Sequence, residues 1–168
     1  GANRIAEGRQ CPFKIRNMQR YDAKDLRILR VLQVDSTAAV ADLAAQIGLS
    51  INACWRRVKR LQDETIDRQV AILQPEQFGF GLTAFVSVRT NEHNDQWLQT
   101  FAEGISKIDE VVEFYRLSGQ YDYWLKILAK DVADYDLVYK RIIKIAPLTD
   151  VSSSFAMERI KTTTALPI

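Results

Sequence analysis

Arg56, Arg57, Lys59 and Arg60 place four cations within five residues of the stretch LSINACWRRVKRLQDE. Side chains of this kind neutralise phosphates, and an arginine fork can also pair with a guanine edge through two hydrogen bonds. The same stretch carries Ile51, Cys54, Val58 and Leu61 at helical spacing. At about 100° per residue these four gather on one side, and Asn52, Ala53, Arg56, Lys59 and Arg60 gather on the other. Trp55 and Arg57 fall on the flanks, with Trp55 expected in the core or along a sugar-phosphate backbone. Taken alone, the window fits either a solvated amphipathic helix or a helix made for a polyanion.

Other reactive residue types are sparse. His93 is the one histidine and lies in the polar stretch NEHND, which fits a solvated loop residue. Cys11 and Cys54 are widely spaced and lack metal-ligand company, so reduced thiols are expected. Cations near Cys54 would lower its pKa, but its place on the apolar side predicts a buried, inert thiol. No Gly-rich phosphate loop, CxxC pair or nucleophile elbow occurs. An enzyme is therefore not expected, and no metal or cofactor is implied.

The elements that must position the basic helix begin at Asp22, which is placed to cap a helix carrying Leu26, Leu29, Val31 and Leu32. That helix is expected to end near Asp35–Ser36. Val40, Leu43, Ala44 and Ile47 predict a second helix, and Gly48 stands where a helix ends in the left-handed conformation. Leu49 offers a buried turn residue and Ser50 a cap for the third helix. Two helices, a short turn and a basic helix make a helix-turn-helix. Asn52, Ala53 and Arg56 then lie nearest base edges, with Ser50 at the helix start. Arg57, Lys59, Arg60 and Arg68 reach phosphates, which add affinity without sequence information.

Past Glu64 the periodicity changes. Val70–Leu73 is a short apolar run, and Pro75 and Gly79 mark a loop. Residues 82–90, 111–118, 123–129 and 151–160 read as strands, and 94–108 and 133–145 as helices. Trp97, Leu98, Phe101 and Ile105 are expected inward on the first of these helices, and Tyr135, Val138, Tyr139 and Ile142 on the second. The order βαββαβ is that of a ferredoxin-like domain. Both helices then cover one sheet face, and a partner subunit covering the other is the economical solution.

Length and composition agree. The 168 residues suit one ordinary domain or two small ones, and 47% apolar with 26% charged content fits a soluble globular chain. No run of 18 apolar residues exists, so no membrane partner is expected. The net charge of +2 is uneven. Residues 20–68 hold nine basic and seven acidic side chains, whereas 69–168 hold ten and thirteen, so the N-terminal part favours a polyanion. Residues 1–17 lack the apolar core of a signal peptide, and Met18, directly before the patterned segment, is the expected native start.

YDAKDLRILRVLQ, DLAAQIGLS, CWRRVKRL, LSGQYDYWLK and VSSSFAMERIKTTTALPI occur in the order found in Lrp/AsnC regulators, which the chain resembles from about Met18 to Ile168. Within the family, the stretches CWRRVKRL and GLTAFVSV and the ending of the chain are most similar to a branch containing cysteine-responsive regulators. The resemblance implies an α+β chain with a winged-type helix-turn-helix domain at 18–66 and a linking strand and hinge at 67–81. A ferredoxin-like βαββαβ (RAM) domain follows at 82–168. It implies a cytoplasmic, nucleoid-associated regulator whose partners are double-stranded DNA and a small amino acid effector. It further implies homodimers that exchange the Val70–Leu73 strand and assemble into octamers or higher forms.

In the family the effector binds beside the loop that here reads Gly119, Gln120, Tyr121 and Asp122. Asp122 would accept from an ammonium and the loop backbone would donate to a carboxylate. Gly and Asp are also ordinary turn residues, so a plain hairpin connection is the competing reading. Ser152 and Ser154 share one strand face and either line the effector site or are outward polar positions. The chain departs from the family in two places. DETIDR lacks the glycine usual after the recognition helix, which puts the helix end and hinge in question. Ala39 stands where Ser or Thr usually caps the second helix, with Thr37 as a substitute one turn earlier. The hinge motivates a second reading, an amino acid sensor acting through a protein partner with a weakened DNA-binding domain.

Overall fold

The computed structural model describes residues 20–168, so the expectations for residues 1–17, Cys11 and Met18 lie outside the described residues. The chain forms two compact units. One runs from Leu73 to Ile160, and the other takes residues 20–72 together with Lys161–Ile168. The last eight residues thus leave the unit in which the sequence reading places them.

In the helix-turn-helix unit, α1 (Ala23–Leu32), α2 (Val40–Ile47) and α3 (Ile51–Glu64) enclose one core. Asp22 caps α1 by accepting from Lys24 N and Asp25 N, and Asp25 reaches back to the Asp22 N–H to complete a capping box. The helix stops at Leu32, short of the expected Asp35–Ser36, because Gln33 already closes it with bonds to Leu29 O and Val31 O. Gly48 ends α2 at φ 71°, ψ 51°, a conformation that costs a Cβ-bearing residue energy. Ser50 Oγ accepts from Ala53 N and opens α3.

Ile28, Leu29, Leu32, Leu43, Ala44, Ile47, Cys54, Val58 and Leu61 form the core. Two expectations need correction. Ile51 is 58% exposed and Trp55 57% exposed. The buried stripe of α3 is centred between Cys54 and Val58, about 50° from Ile51 and about 90° from Trp55, so neither reaches it. Thr37 also does not substitute for the missing cap, since its N–H and hydroxyl both donate to Asp35 Oδ1.

The helix end that the missing glycine put in question forms without one. Thr65 N and Ile66 N both donate to Leu61 O, and Tyr21 Oη bonds Thr65 Oγ1 at 3.1 Å. Among the described residues every strand lies between Leu82 and Phe155, so neither a wing nor the expected Val70–Leu73 strand is present there. The C-terminal residues are tied to α1 instead. Gln33 exchanges two hydrogen bonds with the Leu166 backbone, at 3.0 and 2.9 Å, and Arg30 Nε donates to Ile168 O at 2.5 Å. Ile168 packs against the helical core.

The other unit follows the predicted order: β1 (Leu82–Arg89), α4 (Asp95–Ile105), β2 (Val111–Arg116), β3 (Tyr123–Ala129), α5 (Val132–Ile142) and β4 (Asp150–Phe155). The strands form one antiparallel sheet ordered β2-β3-β1-β4. Alternation decides its faces. Ala84, Val86 and Val88 on β1 and Leu125 and Ile127 on β3 are buried with Trp97, Phe101 and Ile105 of α4 and Val138 and Ile142 of α5. Phe85, Ser87 and Arg89 alternate with the buried set and belong to the opposite face, where Phe85 stacks on Trp124 at 5.3 Å and Tyr115 leans on Trp124 at 5.8 Å. The final strand ends at Phe155 rather than Ile160, and Met157 and Ile160 are exposed.

Ala39 has the extended backbone of a cap residue and makes no side-chain cap bond. Ala39→Ser should raise unfolding free energy by about 1 kcal/mol in urea titration. A Cβ at Gly104 would sit 2.4 Å from Ile145 Cγ2. Overpacking of about 1–3 kcal/mol outweighs the roughly 1 kcal/mol that alanine gains in a helix, so Gly104→Ala should lower the urea midpoint.

Candidate nucleic-acid interface and ligand loop

The basic helix is held by a buried carboxylate. Asp25 is 2% exposed, and its two oxygens accept from Arg57 Nη1 at 2.7 Å and Arg60 Nη2 at 2.6 Å. Arg57 Nη1 also reaches Asp22 Oδ2 at 2.7 Å. The sequence reading sends Arg57 and Arg60 to phosphates, but the structure binds both to the start of α1. Burial by itself raises the Asp25 pKa, yet the hydrogen bonds from Arg60 and Arg57 outweigh it and leave the carboxyl below its ordinary value. Asp22 is likewise lowered, first by the Asp25 N–H and then by Arg57.

With that flank occupied, the exposed stripe over residues 51–59 of α3 comprises Ile51, Asn52, Trp55, Arg56 and Lys59. Ala53 is half-buried, Ser50 serves as the cap, and Lys59 pairs with Asp63 at 3.1 Å on the same exposed face. Arg68 is exposed beyond the helix end. The structure therefore brings Asn52, Arg56 and Lys59 together and sets Arg57 and Arg60 apart from them. The signal for this division was the acidic pair Asp22 and Asp25 at the start of α1. Cys54 has no exposed surface, and burial pushes its thiol pKa up despite Arg57, in line with an inert core thiol.

The second candidate site is the loop between β2 and β3. Gly119 takes φ 151°, a region that favours glycine. Leu117 N donates to Asp122 O at 2.8 Å, Asp122 N to Val88 O at 2.9 Å, and Thr90 N to Asp122 Oδ2 at 2.8 Å. The loop is thereby clasped to the end of β1. Arg89, which the sequence reading passes over, donates from Nε to Gln120 O at 3.0 Å and lies 5.4 Å from the Tyr121 ring centre. Gln120, Tyr121 and Asp122 thus converge on Arg89 and Thr90. Ser152 and Ser154 are exposed on β4, paired across the sheet with Ser87 and Phe85. Open hollows of about 350 and 260 Å³ occur beside Ala146 and Pro147, and none of the effector candidates lines them. Among the described residues no helix is long and apolar enough to cross a membrane. No acidic, histidine or cysteine cluster there suits a metal.

Comparison with known proteins adds a third line. Residues 83–166 match the Lrp/AsnC ligand binding domain, and residues 22–62 match the AsnC-type helix-turn-helix domain. A glutamate uptake regulatory protein of Zymomonas mobilis is 43% identical over 152 residues, spanning 90% of this chain and 93% of its own. The DNA-binding transcriptional activator DecR of Escherichia coli is 44% identical over 149 residues, spanning 88% and 98%. A transcriptional regulator of Neisseria meningitidis, solved as a complex with L-methionine, superposes with a TM-score of 0.82 at 32% identity, covering 88% of this chain and 96% of that one.

The Asp25 pair gives a pH prediction. A carboxyl whose folded pKa is depressed stabilises the fold above its unfolded value, and the stability is lost as pH falls through the folded value. Unfolding free energy should therefore fall as pH drops below about 4, and Asp25→Asn should flatten that dependence. The same variant should cost about 1–3 kcal/mol at neutral pH, because Arg60 loses its bonded carboxylate and Arg57 keeps only Asp22. Urea unfolding of both proteins across pH 3–7 checks both expectations.

Proposed function

The chain belongs to the Lrp/AsnC family of transcriptional regulators, and from that premise we propose that it binds duplex DNA through α3 and that a small amino acid at the Gly119–Asp122 loop modulates the binding. The observation that carries the first half is the exposed stripe of Asn52, Arg56 and Lys59, braced from behind by Asp25. A recognition helix reads base edges from its N-terminal part, so Asn52 and Arg56 face the major groove with Ser50 and Ala53 at its rim. Lys59 and Arg68 meet phosphates. Arg57 and Arg60 contribute by fixing α3 on α1.

The loop suits a zwitterion. Asp122 offers a carboxylate to an ammonium, Arg89 a cation and the loop backbone N–H groups to a carboxylate, and Ser152 and Ser154 hydroxyls to the surroundings. The L-methionine complex of the Neisseria relative supports an amino acid in this role. The protein acts by binding rather than catalysis, in the cytoplasm at the nucleoid. Its working form is a homodimer that assembles further, to an octamer or beyond. The exposed apolar Val70, Ile72 and Leu73 and the aromatic sheet face of Phe85, Tyr115 and Trp124 support that assembly.

Fluorescence anisotropy on duplex from upstream of the protein's own gene, against scrambled duplex, tests this reading with and without a panel of amino acids. Site-selective binding that weakens steeply with salt and responds to one amino acid is expected. Absence of any saturation would favour a sensor that works through a protein partner. Arg56→Ala should reduce discrimination between target and scrambled DNA, and Lys59→Ala should weaken both alike. Asp122→Asn keeps an acceptor for Thr90 N and removes the charge. It should retain DNA binding and lower effector affinity about tenfold or more, and an unchanged response would move the ammonium partner elsewhere.

A further inference from the structure

We propose that Ile51 and Trp55 are specificity-determining residues that pack on the 5-methyl groups of thymine in the major groove. This rests on the reading of α3 as the DNA-contacting helix. The two side chains are a pair one turn apart, at i and i+4, where neighbours on a helix surface touch. Both are more than half exposed, although each is large and apolar. They border Asn52, Arg56 and Lys59, so one continuous stripe combines an apolar edge with amide and cationic heads. The occupant must therefore be a polyanion that also presents small apolar groups at the same depth.

Among its base edges, duplex DNA does this in one place. In the major groove thymine carries a methyl group beside its O4 acceptor, and no other base offers an apolar projection there. Ile51 begins α3, directly after the Ser50 cap, and helix N-terminal residues are those that reach base edges. Trp55 follows one turn later, next to Arg56. A phosphate-only surface would gain nothing from two exposed hydrophobic side chains. The Arg57–Asp25–Arg60 bonds prevent α3 from turning them inward by a roll toward α1.

The test uses the full chain and a random-sequence duplex library, from which bound sequences are selected. Each thymine of a selected duplex is then replaced singly by deoxyuridine, which lacks only the methyl. The wild type should lose about fourfold in affinity for each contacted methyl. Ile51→Ala and Trp55→Ala should each become insensitive at one subset of those positions. Lys59→Ala should bind more weakly everywhere while keeping the wild-type thymine-to-deoxyuridine ratio. Equal wild-type affinity for both bases at every position would overturn the proposal while leaving DNA binding intact. A library that yields no enriched sequence would overturn both, the reading of α3 and the inference built on it. The wild-type comparison stands even if a variant fails to fold, which thermal melting would reveal.

Discussion

A single buried carboxylate, Asp25, decides which face α3 presents. Its two oxygens hold two guanidinium groups that belong to the most basic segment of the chain. Burying a charge is costly, and a buried ion pair is weak evidence of net stability. Its consequence here is orientation. With Cys54, Val58 and Leu61 in the core and Arg57 and Arg60 fastened to the start of α1, the remaining face of α3 is the exposed one. The capping box then serves two ends, because the residue that closes the first turn of α1 also anchors the third helix.

The ligand-binding unit is governed by a different constraint, the two-residue period of a strand. Alternation sends Ala84, Val86 and Val88 under the helices and leaves Phe85, Ser87 and Arg89 for the other face. The same parity brings Arg89 to the strand end where the Gly119–Asp122 loop is clasped. Scaffold and candidate site are therefore set by one pattern. A one-residue slip of β1 would turn Arg89 away from the loop and Phe85 into the core.

Much of this was legible beforehand. The helix caps at Asp22 and Ser50, the left-handed Gly48 and the βαββαβ order all follow from local rules that the tertiary structure respects. What local rules could not resolve was the rotation of α3. A helical wheel places Ile51 with Cys54 and Val58, but the burial of a flank depends on which neighbouring helix leans on it, and that is a long-range fact. Arg57 and Arg60 illustrate the same limit from the other side. Their charge suggested phosphate, while their partner lay more than thirty residues earlier. Arg89 was missed because its contacts exist only once a strand end and a hairpin loop meet.

The return of the chain after Ile160 bears on how such a protein can be rearranged. Residues 161–168 belong with the helices, bonded to Gln33 and Arg30, although they follow the last strand of the other unit. The boundary is crossed twice, so the N-terminal unit is not a contiguous cassette. A chimera that joins these helices to a foreign sensor at the hinge alone would carry away three helices without the segment that covers α1. Recombination that preserves the unit must exchange the three helices and residues 161–168 together.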